Sequence, residues 1–171
     1  MASGELVGFI TDIRPPATRP AAPFVLAGGN STSAEQLPVW AFDPGSLDEY
    51  LDFTGRLRGY DGGGLTINLT YCTNAASGKI SWSAAFQYLE DATNNLSTTN
   101  HTYSYQNVNP TVPGTAYLID YTSITFTDGA QIDSLVDSGA FKMRLKRVAS
   151  DTTNDTCTSD ALLINVEIIE T

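Results

Sequence analysis

Lysine and arginine are concentrated in one short segment near the end of the chain. Lys142, Arg144 and Lys146 occupy alternate positions, and Arg147 follows directly. Because the side chains of a β-strand point alternately to opposite faces, the first three cations would share one face, opposite the apolar residues between them. The row has two interpretations: an edge strand protected from aggregation by its charges, or a docking site for an acidic surface.

Residue types suited to catalysis are few. The single histidine, His101, lies in a polar loop, and the chain has neither a Gly-x-Ser-x-Gly elbow nor a His/Cys cluster with zinc spacing. Two carboxylates across a cleft would suffice for a glycosidase, but Asp48, Glu49 and Asp52 lie in one short segment and are expected to be solvated. The sequence therefore predicts a protein that is not an enzyme.

Acidic residues also recur in loops, where they could act as calcium ligands. None of them follows the ligand order of an EF-hand, and solubilising charge is the simpler interpretation. We therefore expect no cofactor. The residues concerned are Asp128, Asp133, Asp137, Asp151, Asp155 and Asp160.

Aromatic residues offer a different kind of site, a platform on which sugar rings stack. Trp82 is in phase with the apolar residues of its segment and is expected in the core, whereas Trp40 has no clear phase. Tyr103 and Tyr105 alternate in a polar, Asn-rich segment and are the better candidates for exposed rings. A carbohydrate-binding module of a tail fibre or adhesin is therefore an alternative function.

The composition limits the classes of partner. The 171 residues include 9 Lys+Arg and 19 Asp+Glu, for a formal net charge of -10. This length suits one domain with a core, and the negative charge argues against a nucleic-acid partner. The absence of a long apolar stretch argues against a membrane helix, and no secretory signal is evident. Cys72 and Cys157 are expected to be free thiols rather than a disulfide.

From residue 37 onward, segments with period-2 alternation are separated by turn residues. About eight such segments and an almost complete lack of helical pattern predict an all-β, antiparallel β-sandwich, specifically an eight-stranded jelly roll, with a closed barrel as the rival topology. The last segment is expected to point Leu162, Ile164, Val166 and Ile168 inward. The predicted strands lie near 38–42, 50–60, 65–72, 79–89, 103–108, 116–127, 141–148 and 162–169.

Residues 1–36 differ from this pattern and are predicted to form an extended N-terminal arm and linker before a sandwich domain at 37–171. Pro15, Pro16, Pro20 and Pro23 remove amide donors and favour an extended or polyproline-like conformation. The arm is either a disordered tail or a segment that becomes ordered against a neighbouring subunit, which its apolar residues favour.

Two segments carry a resemblance to a known family. Residues 56–71, which include Tyr-Asp-Gly-Gly-Gly-Leu, and residues 80–86, Ile-Ser-Trp-Ser-Ala-Ala-Phe, resemble the small jelly-roll proteins that decorate or cement the heads of tailed bacteriophages. The resemblance implies a non-enzymatic virion protein, made in the host cytoplasm and located on the outer capsid surface. It also implies a homotrimer that bridges and stabilises neighbouring major capsid subunits.

Under this hypothesis the contact residues come from the arm and from the cationic segment. The arm contributes apolar residues and arginines, and the segment contributes its four cations. The candidates are Leu6, Phe9, Ile10, Arg14, Arg19, Phe24, Lys142, Arg144, Lys146 and Arg147.

Overall fold

The structure, a computed structural model, describes residues 4–27, 36–97 and 101–171. These residues form ten β-strands and one short 3-10 helix, η1 at Ala130–Ile132. Among them, no helix is long and apolar enough to cross a membrane. The strands are β1 Leu6–Arg14, β2 Ala22–Ala27, β3 Gln36–Phe42, β4 Glu49–Leu57, β5 Leu65–Thr73, β6 Trp82–Tyr88, β7 Gln106–Val108, β8 Asp120–Phe126, β9 Ala140–Arg147 and β10 Ala161–Glu170.

The strands β3 to β10 form the two sheets of a jelly roll. One sheet has the order β3-β10-β5-β8 and the other has the order β4-β9-β6-β7, with every strand pair antiparallel. The chain crosses from one sheet to the other at each connection except that between β6 and β7, which is the double Greek-key path of this fold. The prediction of an antiparallel, eight-stranded jelly roll from residue 37 onward is confirmed.

The N-terminal residues belong to the sandwich and do not form a separate arm. β1 pairs with β4 from Gly8 to Arg14, and its first residues pair with β10, so that it joins the two sheets along one edge. β2 adds to the outer edge of β3, where Pro23 is tolerated. Val7 is fully buried. The predicted boundary at residue 36 is therefore wrong, because the partners of β1 are distant strands that local composition does not reveal.

The core between the sheets consists largely of aromatic and branched side chains. The Trp82 ring meets Phe42 and Tyr71 edge-on, and Phe86 does the same with Phe126 and Phe141. Edge-to-face contacts of this kind contribute roughly 0.5–1.5 kcal/mol each beyond the burial of apolar area. The prediction that Trp82 lies in the core is confirmed, since its exposed fraction is 0%.

A β-bulge changes the phase of the last strand. The register of β10 against β5 shifts between Leu163 and Asn165, so alternation before the bulge does not continue after it. Leu163 and Ile168 are buried in the main core, whereas Leu162 packs with a small cluster that includes Val39 and Cys72. The expectation that Leu162 shares a face with Ile168 is therefore wrong.

The Gly-rich turn of residues 61–64 connects β4 to β5, which lie in different sheets. The amides of Asp61 and Gly63 donate to Oε1 of the buried Glu170, at 3.0 and 3.1 Å. Gly64 has φ +94°, and a Cβ there would lie 2.6 Å from the carbonyl oxygen of Phe126. Glycine is thus required at this position because both the backbone conformation and the close approach of β8 exclude a side chain.

Candidate functional site

The outer face of the β4-β9-β6 sheet carries the cationic row that the sequence indicates. Register pairs Asp52 of β4 with Arg144 of β9, directly across the strand pair. The Arg144 guanidinium donates Nε–H and Nη2–H to the two Asp52 oxygens at 2.7 and 2.8 Å, and Lys142 Nζ lies 3.0 Å from the same carboxylate. Burial raises the pKa of Asp52, but these hydrogen bonds and charges outweigh it, so the pKa lies below its ordinary value.

A second carboxylate holds the third cation of the row. Lys146 Nζ lies 3.0 Å from Asp48 Oδ2, and Ser150 donates to Asp48 Oδ1 through both its hydroxyl and its amide. Burial raises the pKa of Asp48, and the bonds from Ser150 and Lys146 bring it below the ordinary value. The acids predicted to be solvated are therefore largely buried counter-ions: Asp48 is 8% exposed and Asp52 is 9% exposed.

Three tyrosine rings enclose these cations. The Arg144 Cζ lies 5.4 Å from the Tyr50 ring centroid and 5.2 Å from that of Tyr103, so the guanidinium lies between two rings. Lys146 Nζ lies 4.6 Å from the centroid of Tyr105. These distances are those of cation–π contacts. Burial raises the pKa of Tyr105 to about 12, partly offset by the charge of Arg144, so its hydroxyl stays protonated. We call this set (Tyr50, Tyr103, Tyr105, Lys142, Arg144, Lys146) the aromatic–basic face.

The segment before β7 positions two of the rings. Tyr103 donates its hydroxyl to Gln87 Oε1 of β6 at 3.3 Å and meets the imidazole of His101 edge-on, with 4.6 Å between the centroids. His101 Nε2 lies 3.8 Å from the Asp133 carboxylate. His101 was expected to be a solvated loop residue. The structure instead places it against a tyrosine, with 17% of its side chain exposed.

Two clefts open on this face and share Arg144 as a common wall. The first, about 400 Å³, we call the His101 cleft; it is lined by Thr54, Gln87, Leu89, Leu96, His101, Tyr103, Lys142 and Arg144. The second, about 470 Å³, we call the Arg19 cleft; it is lined by Pro16, Thr18, Arg19, Tyr50 and Arg144. We refer to these two clefts, which share Arg144, together as the groove of the aromatic–basic face.

The proline-rich segment forms a wall of the Arg19 cleft. The amide of Tyr50 donates to the carbonyl of Arg19, and the amide of Ala21 donates to the carbonyl of Tyr50, both at 2.9 Å. Arg19 itself has φ +52°. This segment was predicted to be part of an arm. The two hydrogen bonds hold it against the start of β4 and next to the aromatic–basic face.

Arg147 does not belong to this face, although it was predicted as a contact residue. Its side chain is fully buried, with a bidentate bond to Asp155 at 2.7 and 2.9 Å. It also donates to the carbonyls of Phe42, Cys157 and Ser159. The alternation of β9 could have indicated this, because Arg147 is in phase with the inward residues Phe141, Met143 and Leu145.

The N-terminal contact candidates lie at several different places. Leu6 and Phe9 of β1 and Phe24 of β2 are exposed, at 53%, 45% and 48%. Ile10 is partly buried against the core, and Arg14 is exposed and paired with Asp12 at 2.8 Å. Only Arg19 lines a cleft of the aromatic–basic face. A contact with another protein stays a prediction for the remaining residues.

Three members of the site were not identified from the sequence as parts of a site. Tyr50 and Gln87 lie in predicted strands, but the alternation of those strands does not mark them as site residues. Asp52 was interpreted as solvated. The register of β4 and β6 against β9 brings them next to the cations. Among the residues that the structure describes, no group of three or more His, Cys, Asp or Glu could hold a metal ion.

Comparison with known proteins gives a likeness in structure alone. No family model and no curated protein matches the chain. Among solved structures, TmCBM61 in complex with β-1,4-galactotriose has a TM-score of 0.40 at 10% identity, covering 94% of this chain and 88% of that one. The CBM22-1 xylan-binding domain of Paenibacillus barcinonensis Xyn10C has a TM-score of 0.47 at 9% identity, covering 98% and 99%.

A third similar structure is the family 11 carbohydrate-binding module of Clostridium thermocellum in complex with a β-1,3-1,4-mixed-linked tetrasaccharide. Its TM-score is 0.47 at 9% identity, with coverage of 98% of each chain. At these values the likeness carries no argument about what this chain binds. An argument about binding therefore has to come from the site itself.

The expectation of a phage capsid decoration protein is nevertheless wrong, and the reason lies in the structure of the chain itself. The two features that supported it also have other roles within the molecule. β1 and β2 are strands of the sandwich, and the outward cations of β9 are paired within the chain, Lys146 with Asp48 and both Lys142 and Arg144 with Asp52. The virion location and the major capsid protein as partner were drawn from that hypothesis and are not carried further. The homotrimer stays a prediction.

Proposed function

We propose that this protein is a non-catalytic carbohydrate-binding module and that its binding site is the groove across the aromatic–basic face. A pyranose ring has apolar C–H faces and a rim of hydroxyl groups. A site for it therefore combines aromatic rings with a few polar groups held in fixed positions. The His101 cleft contains such a combination: the Tyr103 ring, the Leu96 side chain, and the polar groups of Thr54, Gln87 and Lys142.

The observation that carries the proposal is the fixed position of Tyr103. Its hydroxyl bonds to Gln87, its ring lies beside Arg144, and His101 supports it edge-on. A ring held by three neighbours loses little conformational entropy when a ligand stacks on it. A preorganised ring at the wall of an open cleft favours binding of a planar apolar face.

Binding without chemistry is the activity we expect. General acid or base catalysis requires a carboxyl group with a pKa near the working pH. The two carboxylates beside the clefts, Asp48 and Asp52, are instead paired with lysine and arginine, and their pKa values are lowered. They are suited to holding the cations in position.

The test is a glycan array followed by calorimetry on the glycans that bind. We expect Tyr103→Ala and Tyr50→Ala, at the two rings that line the clefts, each to weaken binding about ten-fold, because an aromatic anchor at a binding site typically contributes about 1.5 kcal/mol or more. Tyr103→Phe retains the ring and should bind within about three-fold of the unaltered protein.

Tyr121→Ala is the matched control, since Tyr121 is 73% exposed on β8 in the other sheet. The near-ultraviolet circular dichroism of each variant shows whether the fold is retained. If no glycan binds, or if Tyr121→Ala weakens binding as much as the two site variants, the proposal is wrong.

A further inference from the structure

We infer that the glycan is acidic, with a uronic acid residue whose carboxylate lies against Lys142 and Arg144 in the His101 cleft. This inference rests on the proposed function and names the class of sugar. Three features support it: the charge of the cleft linings, the hydrogen-bond donors that remain after the internal ion pairs form, and the contrast between these basic linings and the acidic composition of the chain.

The linings of the two clefts contain cations and no carboxylate among the described residues. Lys142, Arg144 and His101 line one cleft, and Arg19 and Arg144 line the other. The whole chain has 19 Asp+Glu against 9 Lys+Arg, and outside the cleft linings, which contain three of the cations, acidic residues outnumber basic ones about three-fold. In so acidic a chain, cleft linings without any acidic residue are unexpected, and they favour an anionic ligand.

The internal ion pairs leave donors for such a ligand. One carboxylate, Asp52, serves both Lys142 and Arg144, so these three groups together carry one positive charge. An ammonium group has three N–H donors and a guanidinium has five, and Asp52 accepts from two of the latter. The charge of this group of three side chains thus matches one monovalent carboxylate per sugar.

Partial burial strengthens the attraction. The Lys142 and Arg144 side chains are 27% and 24% exposed, so a carboxylate beside them would be partly removed from water, where charge–charge interactions are stronger. The other carboxylates facing the site are Asp48, paired with Lys146, and Asp133, next to His101. More distant acids are screened at physiological salt, where the Debye length is about 8 Å.

The experiment compares acidic polysaccharides with their own neutral forms. Polygalacturonate, alginate and glucuronoxylan are each titrated by calorimetry before and after chemical reduction of their carboxyl groups, which leaves the linkages unchanged. We expect at least one acidic form to bind about ten-fold tighter than its reduced form, because a charge-assisted hydrogen bond is worth that factor or more.

Lys142→Gln should remove most of that preference, so that the acidic and the reduced polymer bind this variant within about two-fold of each other. Lys79→Gln makes the same change on an exposed lysine outside both cleft linings and should leave the preference unchanged. Arg144→Gln, which removes the other cation placed against the carboxylate, provides a second variant if Lys142→Gln folds poorly. It should also reduce the preference for the acidic form.

The outcomes separate the inference from the proposed function. Equal binding of acidic and reduced forms would overturn the acidic preference and leave glycan binding standing. Binding of dextran sulfate without binding of any uronic acid polymer would also overturn it, since sulfate would then be the recognised anion. Binding of no acidic or neutral glycan at all would overturn the proposed function together with this inference.

Discussion

Asp52 makes the cationic row of β9 compatible with a half-buried sheet face. Lys142 and Arg144 are two residues apart on the same face of one strand, close enough to repel each other. The Asp52 carboxylate on the neighbouring strand contacts both of them and is itself only 9% exposed. Removing that charge would leave two unpaired cations in a partly desolvated place, which is more costly than losing one surface ion pair.

We therefore predict that Asp52→Asn lowers the free energy of unfolding by about 2 kcal/mol at pH 7. The pKa of Asp52 is lowered in the folded protein. The Asp52 charge therefore stabilises the fold fully above the ordinary carboxyl pKa, and this stabilisation is lost as the pH falls through the lowered pKa. Urea unfolding of both proteins from pH 7 to about pH 2 measures this, and the difference between them should decrease as the pH falls below about 4.

Asp12→Asn is the control at the residue scale. Its hydrogen bond to Arg14 lowers the pKa of Asp12 as well, but both side chains are exposed, so the variant should unfold close to the unaltered protein at every pH. If Asp52→Asn had the same effect at pH 2 as at pH 7, ion pairing would not be the source of its stabilisation.

At the scale of the elements, β1 is the strand whose removal should matter most. It pairs with β4 and with β10, and it buries Val7 completely. Deletion of residues 1–14 should lower the free energy of unfolding by more than about 3 kcal/mol, from the lost apolar burial and strand hydrogen bonds together. Thermal and urea unfolding measure the loss.

Phe9→Gln in the intact chain is the comparison for that deletion. Phe9 belongs to the same strand but is 45% exposed, so the substitution should change the stability by less than about 1 kcal/mol. A truncated chain as stable as the intact one would mean that β1 is a detachable arm after all.

The strands with strict alternation could be predicted from the sequence, because one of their faces is buried and the other is polar. β5 and β9 show this directly. β1 was missed because its place in the sandwich depends on β4 and β10, which are distant in sequence, and β2 was missed because prolines flank and interrupt it although its partner β3 is the next strand. The bulge of β10 has no local signal, so the phase of Leu162 was assigned wrongly.

The candidate site was predictable only in part. The cations of β9 and the two tyrosines of the 101–105 segment stood out from their own spacing. Asp52, Tyr50 and Gln87 join them through strand register, which is set by the whole sheet. Arg147 is the opposite case. The alternation of its own strand predicts that it is buried, but it was predicted to be a contact residue because it is charged.

At the scale of the whole molecule, the two cysteines lie in different apolar clusters. Cys157 belongs to the main core, and Cys72 belongs to the small cluster with Val39, Ala41 and Leu162. Both are free thiols, 1% and 3% exposed for Cys72 and Cys157, and burial raises the pKa of the Cys72 thiol. The prediction of free thiols is confirmed.

We expect neither thiol to react with a disulfide reagent in the folded protein, because both sulfur atoms are buried and inaccessible to the reagent. In denaturant, two thiols per chain should react. A reducing agent should leave the urea midpoint unchanged, since no disulfide restrains the chain. A lower midpoint under reducing conditions would contradict this arrangement and indicate a bridge.

The pairing of β1 with β10 has a consequence for the order in which the chain acquires its structure. Leu6 lies opposite Ile169, so β1 has no complete set of neighbours until β10 has been synthesised. Contacts between residues so far apart in sequence slow folding. β1, with apolar residues such as Phe9, therefore stays without one of its final partners while the intervening residues are translated, which is when a nascent chain most depends on chaperones.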